Sequence, residues 1–196
     1  MVAGSRLGRN ALIMNYLAHL YLGQGSAQSL IGSLMGDFIR GHLDESLPLA
    51  IRQGIWLHRK IDAFTDAHPV FRASKGRLRP PLRRYAGILV DVFYDHFLAR
   101  DWALYSSVSL RDFSWSVYRT LHSHYEGLPT PMQRSASYMI ANDLLMSYHE
   151  VAGIGRSLRG IATRLKRGSP LGRRGHLNWN AIMRPWLPIS PLFSQT

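Results

Sequence analysis

At 196 residues the chain is long enough to bury one sizeable core, and no long linker divides it. It contains no cysteine, which excludes disulfide scaffolds, thiolate metal sites and cysteine nucleophiles and fits a cytoplasmic protein. A formal net charge of +12 and a pI near 10.7 surround it with a positive field, concentrated around Arg72 to Arg84 and Arg156 to Arg174, that favours an acidic partner: nucleic acid, an anionic membrane surface or an acidic protein.

Hydrophobic periodicity between Gly and Pro breaks predicts helices at about 15–23, 27–40, 48–67, 80–102, 110–126, 131–150 and 154–167, with no sustained strand alternation and no repeat. Arg6 and Arg9 ahead of the apolar run from Ala11 imitate a signal peptide. Asn15 and His19 interrupt that run, however, no small-residue cleavage site follows, and no segment reaches the length of a membrane-spanning helix. Ser46 with Pro48 marks the start of the third helix and Pro69 is expected to close it. Ser109-Leu-Arg-Asp112 reads as a capping box, and Pro129 and Pro131 break the later pair. The expected fold is all-α, in a single domain.

Chemistry concentrates where charge enters apolar surroundings. Asp91-Val-Phe-Tyr-Asp95-His96 places two carboxylates one helical turn apart, with an imidazole alongside, among Leu89, Val90, Val92, Phe93, Phe97 and Leu98. Ionised groups there are costly unless paired or metal-bound. His58, Asp62 and Asp66, four residues apart, share one helix face. Asp37 ends an apolar run within Gly36-Asp37-Phe38, and His19 lies within Tyr16-Leu-Ala-His-Leu-Tyr-Leu. Taken alone, His19 reads as a hydrogen-bonded core histidine and Asp62 as a partner of Arg59 or Lys60. The Asp91–Asp95 pair is harder to explain that way, because like charges at helical spacing repel; it argues for a cation or a shared proton. Imidazole and carboxylate without thiolate suit manganese, iron, magnesium or zinc.

Four ordered motifs carry a family resemblance: Met14-Asn-Tyr-Leu-Ala-His19-Leu-Tyr-Leu, Gly36-Asp37-Phe-Ile-Arg40-Gly41, Gly54-Ile-Trp-Leu-His58-Arg59-Lys60-Ile-Asp62-Ala-Phe-Thr-Asp66-Ala-His68-Pro69 and Asp91-Val-Phe-Tyr-Asp95-His96-Phe-Leu. Over roughly residues 14–170 the chain resembles the acyl carrier protein phosphodiesterases, distant relatives of the HD-domain metal phosphohydrolases. That resemblance implies an HD-like helical bundle, a divalent cofactor, manganese first with Fe2+, Mg2+ or Zn2+ as substitutes, and hydrolysis of the phosphodiester joining 4′-phosphopantetheine to a serine of acyl carrier protein. Within it, Asp37, His58, Asp62 and Asp95 are expected to hold one or two ions. His19 or His96 would protonate the departing serine oxygen or orient water, while Arg40, Arg59 or Lys60 would offset phosphoryl charge. Asp66, Asp91 and His68 are alternative members of the set.

Acyl carrier proteins are acidic, so the basic surface has a matching target. Residues 1–13 form an expected poorly ordered extension, 14–170 the catalytic domain, and 171–196 an atypical tail where the family normally ends in an acidic, aromatic helix. With permissible codon choices, a shifted reading frame over Gly175 to Gln195 encodes a helix of that kind, which makes a frameshift the expected origin of the tail. Two other functions compete: a related metal phosphohydrolase acting on nucleotides or another phosphodiester, and a non-catalytic basic module that binds nucleic acid. Acids buried on helix faces and the lack of regular aromatic interleaving among the arginines speak against the second.

Overall fold

The computed structural model describes residues 16–23, 25–162 and 177–184. Its helices are α1 (Tyr16–Leu22), α2 (Ala27–Met35), α3 (Leu49–Ala67), α4 (Pro69–Arg77), α5 (Ala86–Arg100), α6 (Leu110–Ser123), α7 (Thr130–Ala141), α8 (Leu144–Ser147), α9 (Val151–Ala162) and α10 (Trp179–Met183). The all-α expectation holds, with no strand among the described residues. None of the described helices is long and apolar enough to cross a membrane.

Local chemistry explains the boundaries, including those that depart from the periodicity. The Ser109 hydroxyl accepts the Asp112 N–H at 3.1 Å and donates to the Asp112 carboxylate at 2.6 Å, so the expected cap starts α6. Pro69, expected to close α3, instead opens α4: its fixed φ and missing N–H suit a first helical turn. His68 caps that turn, its Nδ1 accepting the Val70 N–H at 3.3 Å. The segment expected over 131–150 divides at Asp143, whose backbone turns left-handed at φ 44°. The Tyr118 hydroxyl, which donates to the Asp143 carboxylate at 3.0 Å and accepts the Leu145 N–H at 2.9 Å, holds this break. The segment expected over 80–102 becomes helical only at Ala86, after a 3-10 turn over Arg83–Tyr85. The run expected to reach residue 40 stops at Met35, and Asp37 therefore sits in a turn rather than on a helix.

The core is organised around α5, which is buried on nearly every side: Leu89, Val90, Val92 and Phe93 have no exposed surface, and α1, α4 and α9 pack on it. Such a helix is apolar all round, as its sequence indicated. Asp91, Asp95 and His96 are its buried polar residues, and Asp95 is its anchor. The two Asp95 oxygens accept the Leu17 N–H at 2.9 Å and the Ala18 N–H at 3.0 Å, satisfying donors in the N-terminal turn of α1 that have no partner within the helix.

Helices α2 and α3 cross with their backbones nearly touching. A Cβ on Gly32 would come to 3.0 Å from Gly54 Cα, and one on Gly54 to 2.9 Å from both Gly32 Cα and Ser33 N, so only hydrogen fits at either position. Farther along, a Cβ on Gly36 would fall into the His58 imidazole and lie 2.8 Å from His58 Cβ, which makes Gly36 the wall against which that ring rests. Part of the tail also packs on the domain: Met183 is buried, and the Trp179 ring meets Phe93 edge-on at 6.4 Å. Residues 1–13, and the remainder of the stretch read as frameshifted, lie outside the described residues.

Substituting Gly54→Ala should force α3 away from α2 and cost about 1–3 kcal/mol in urea unfolding, as overpacking does. Gly87→Ala, whose Cβ meets nothing within 4 Å, should leave the midpoint unchanged or raise it.

Candidate metal centre

Three elements bring the polar groups together. Helix α1 carries His19, the turn after α2 carries Asp37, and α3 carries His58 and Asp62, one helical turn apart on its inner face. His19 Nε2 lies 3.0 Å from Asp62 Oδ1, and His58 Nε2 lies 3.3 Å from Asp62 Oδ2 and 3.6 Å from Asp37 Oδ1. The two imidazoles stack at 3.9 Å between centroids. Both are buried, whereas the Asp62 side chain is 41% exposed, so the site has an enclosed imidazole floor and a carboxylate at its mouth.

Two ring nitrogens thus point at one carboxylate, while the Nδ1 atoms of both rings are buried, that of His19 without a hydrogen-bond partner. Protonation is divided unequally. Burial lowers the His19 pKa and outweighs the hydrogen bond to Asp62. At His58 burial also acts downward, but the Asp62 hydrogen bond and the Asp37 charge prevail and the pKa rises. The Asp62 carboxyl, although burial opposes it, is held below the usual carboxylate range by the two imidazoles. Burial pushes Asp37 up to about 7, against the pull of His58.

His19, His58 and Asp62 offer one ligand atom each within 4.8 Å of one another and form a group that can hold a metal ion. The donor set fits a divalent cation: neutral imidazole nitrogen and carboxylate oxygen converge, and neither ring nitrogen facing Asp62 has a competing partner outside the cluster. Asp37 stands at its edge through His58.

The other expected residues are placed elsewhere. Asp95 stands outside the group, fully buried, with both oxygens on the α1 backbone; burial pushes its pKa up to about 8 against those two amide hydrogen bonds. His96 Nδ1 lies 2.7 Å from the Tyr148 carbonyl, and the charges bearing on the ring are those of Arg100, His149 and Asp101 rather than those of the cluster. Arg59 donates to the carbonyls of Gly41 at 2.9 Å and Ile39 at 3.0 Å, fastening the segment that follows Asp37. Arg40 is exposed, and so is Lys60, whose Nζ sits 4.2 Å over the Trp56 ring. Asp66 pairs with Lys75 at 2.9 Å and His68 serves as a cap. Asp91 is buried beside the site, its carboxyl pushed well up by burial and then by the Asp95 and Asp62 charges.

Sequence reasoning treated His19 as a proton carrier rather than a cluster member, and it did not single out Gly36 as a support. The signal for Gly36 was its position directly before Asp37 in a motif. Its meaning depends on a ring more than twenty residues away.

The family profile described as "Acyl carrier protein phosphodiesterase" matches residues 14–180. Curated relatives with that name include the protein of Serratia proteamaculans, 38% identical over 155 residues that cover 79% of this chain and 80% of the relative. The Yersinia pestis protein is 33% identical over 181 residues, 92% of each chain. An Escherichia coli protein is 35% identical over 155 residues, 79% of this chain and 80% of its own. No solved structure gives a significant match. With a profile spanning most of its length and relatives similar over 80–92% of theirs, the chain belongs to the acyl carrier protein phosphodiesterase family.

Proposed function

We propose that the chain hydrolyses the phosphodiester between 4′-phosphopantetheine and a serine of acyl carrier protein, and that His19, His58, Asp62 and Asp37 are its metal-holding residues. The observation that carries this reading is the convergence of two buried imidazoles on one half-open carboxylate, in a chain of this family. A divalent ion bound there supplies positive charge for the phosphoryl oxygens and acidifies water. Manganese is our first assignment; iron, magnesium and zinc suit the same nitrogen and oxygen donors. We assign the protein to the cytoplasm.

The chain's own groups divide the remaining work. The rings of His19 and His58 close the floor and keep water from that side, and Asp62 faces the opening where substrate arrives. In the metal-free site the Asp62 hydrogen bond and the Asp37 charge raise the His58 pKa, and burial raises that of Asp37, so an incoming cation competes with protons there. Water adds its oxygen to phosphorus as the bond from phosphorus to the serine oxygen breaks, and a proton must reach that oxygen. The attacking water supplies it, and solvent at the half-open mouth beside Asp62 carries it across. Arg40 and Lys60 are exposed cations available to the substrate phosphate, whereas Arg59 works through the backbone it fastens. Asp95 and His96 act here as positioning residues: Asp95 holds α1, and His96 ties α5 to Tyr148.

Mass spectrometry of a holo carrier protein incubated with the protein should show loss of phosphopantetheine, cessation on chelation and recovery with Mn2+. Asp62→Ala should lower kcat on the order of 100-fold or more. Full turnover after chelation, or turnover of nucleotides alone, would refute the assignment. Gly36→Ala, which adds a methyl group where the His58 ring lies, should reduce kcat about tenfold or more while unfolding stays cooperative. Asp37 supplies a pH test. Its folded pKa of about 7 exceeds the unfolded value of about 3.9, so the metal-free folded state retains the proton and loses stability as pH rises between them, levelling off above. The urea midpoint of Asp37→Asn relative to wild type should therefore climb across that window, and a flat difference would contradict the shift.

A further inference from the structure

The inner face of α3 carries His58 and Asp62, but its outer face is unusual for a solvated helix. Trp56 is 55% exposed, Leu49 61% and Phe64 68%, and their spacing of seven and eight residues aligns them along one side. Arg52, Trp56 and Lys60 follow one another at every fourth position, with the Lys60 ammonium over the indole. A groove of about 450 Å³ runs beside this ladder. It is lined by Leu43, Leu49 and Trp56 on the apolar side and by His42, Arg52 and Arg59 on the basic side, with Glu45 as its acid. Arg59 is committed to two backbone carbonyls, whereas Arg52 Nε is buried without a hydrogen-bond partner. The Arg52 side chain lines the open groove beside Trp56, where a carboxylate from a partner can pair with its guanidinium.

We infer that this face of α3, from Leu49 to Phe64 with the groove at Arg52, is the docking surface for the acidic carrier protein, with a partner carboxylate on Arg52 and an apolar side chain on Trp56. This rests on the reading of the substrate given above. Three features favour an acidic protein as the occupant. The chain's net charge of +12 gives long-range attraction. The ladder alternates cation and aromatic, the composition of interface anchors. Its groove is also walled by Gly41 and Arg59, in and against the segment that follows Asp37, so a partner seated here lies along that edge of the cluster.

The test compares wild type with Arg52→Gln, Trp56→Ala and, as a control on a different exposed aromatic, Trp115→Ala, which is 60% exposed on α6. Binding of the carrier protein is measured by titration calorimetry, and turnover of holo carrier protein and of bis(4-nitrophenyl) phosphate is measured in parallel. Arg52→Gln and Trp56→Ala should each weaken binding and raise KM for the carrier protein on the order of tenfold. The rate on the small diester should hold, the salt dependence should become shallower in Arg52→Gln, and Trp115→Ala should behave as wild type. Unchanged binding and KM in both variants would overturn the proposal while leaving the hydrolase assignment intact. Carrier-protein binding that weakens in the variants, in a protein without turnover, would support the surface and overturn the assignment. An oligonucleotide that binds this face when the carrier protein does not would overturn the docking proposal. Circular dichroism melts check that the variants fold.

Discussion

Everything at the candidate centre depends on holding two buried imidazoles within hydrogen-bond distance of a single carboxylate. Nothing in a helix's own geometry brings His19 and His58 together, since one sits on α1 and the other on α3. Two supports do so. Helix α1 is docked by Asp95, which captures two of its first-turn amides, and by Ser33, whose hydroxyl donates to the His19 carbonyl at 3.0 Å. Helix α3 is drawn in by the glycine contact with α2 and stopped by Gly36, which leaves room for the His58 ring and no more. Ser33 and Gly36 lie three residues apart, so the end of α2 braces both histidines.

The acids of this fold meet two different surroundings. Asp95 is fully buried and Asp62 half-exposed, and both are far from the ordinary carboxylate pKa, but in opposite directions. Asp95 meets neutral amides and is dominated by desolvation. Asp62 meets imidazoles and a mouth open to water, and these favour its ionised form. The same contrast separates His19 from His58. Asp37 lies close enough to His58 to raise its affinity for a proton, while burial keeps His19 neutral. The opposite directions of the two shifts fit a stacked pair, because two imidazolium rings would repel each other at 3.9 Å.

Net charge has a more specific arrangement than composition indicates. Arg72, Arg77, Arg79, Arg83 and Arg84 are exposed, so that basic segment is a solvated face, as its sequence allowed. The cations of α3 differ because they are interleaved with exposed apolar side chains and adjoin the cluster. One helix thus has two different faces separated by its own circumference: the period that points His58 and Asp62 inward turns Trp56 and Lys60 outward.

The sequence alone settled the helical class, the span of α3 almost to the residue, the cap at Ser109 and the list of segments that carry polar groups into apolar surroundings. These are short-range properties, written in periodicity and in side chains that bond to nearby amides. Tertiary structure decided which polar groups meet. Asp95 accepts hydrogen bonds from residues 77 and 78 positions away, whereas His19 joins Asp62 across 43 positions. It also decided that Pro69 starts a helix, because the chain turns at His68 instead of ending there. Such choices depend on how closely α2 approaches α3 and on where α1 lands on α5, and no local pattern encodes a distance between helices.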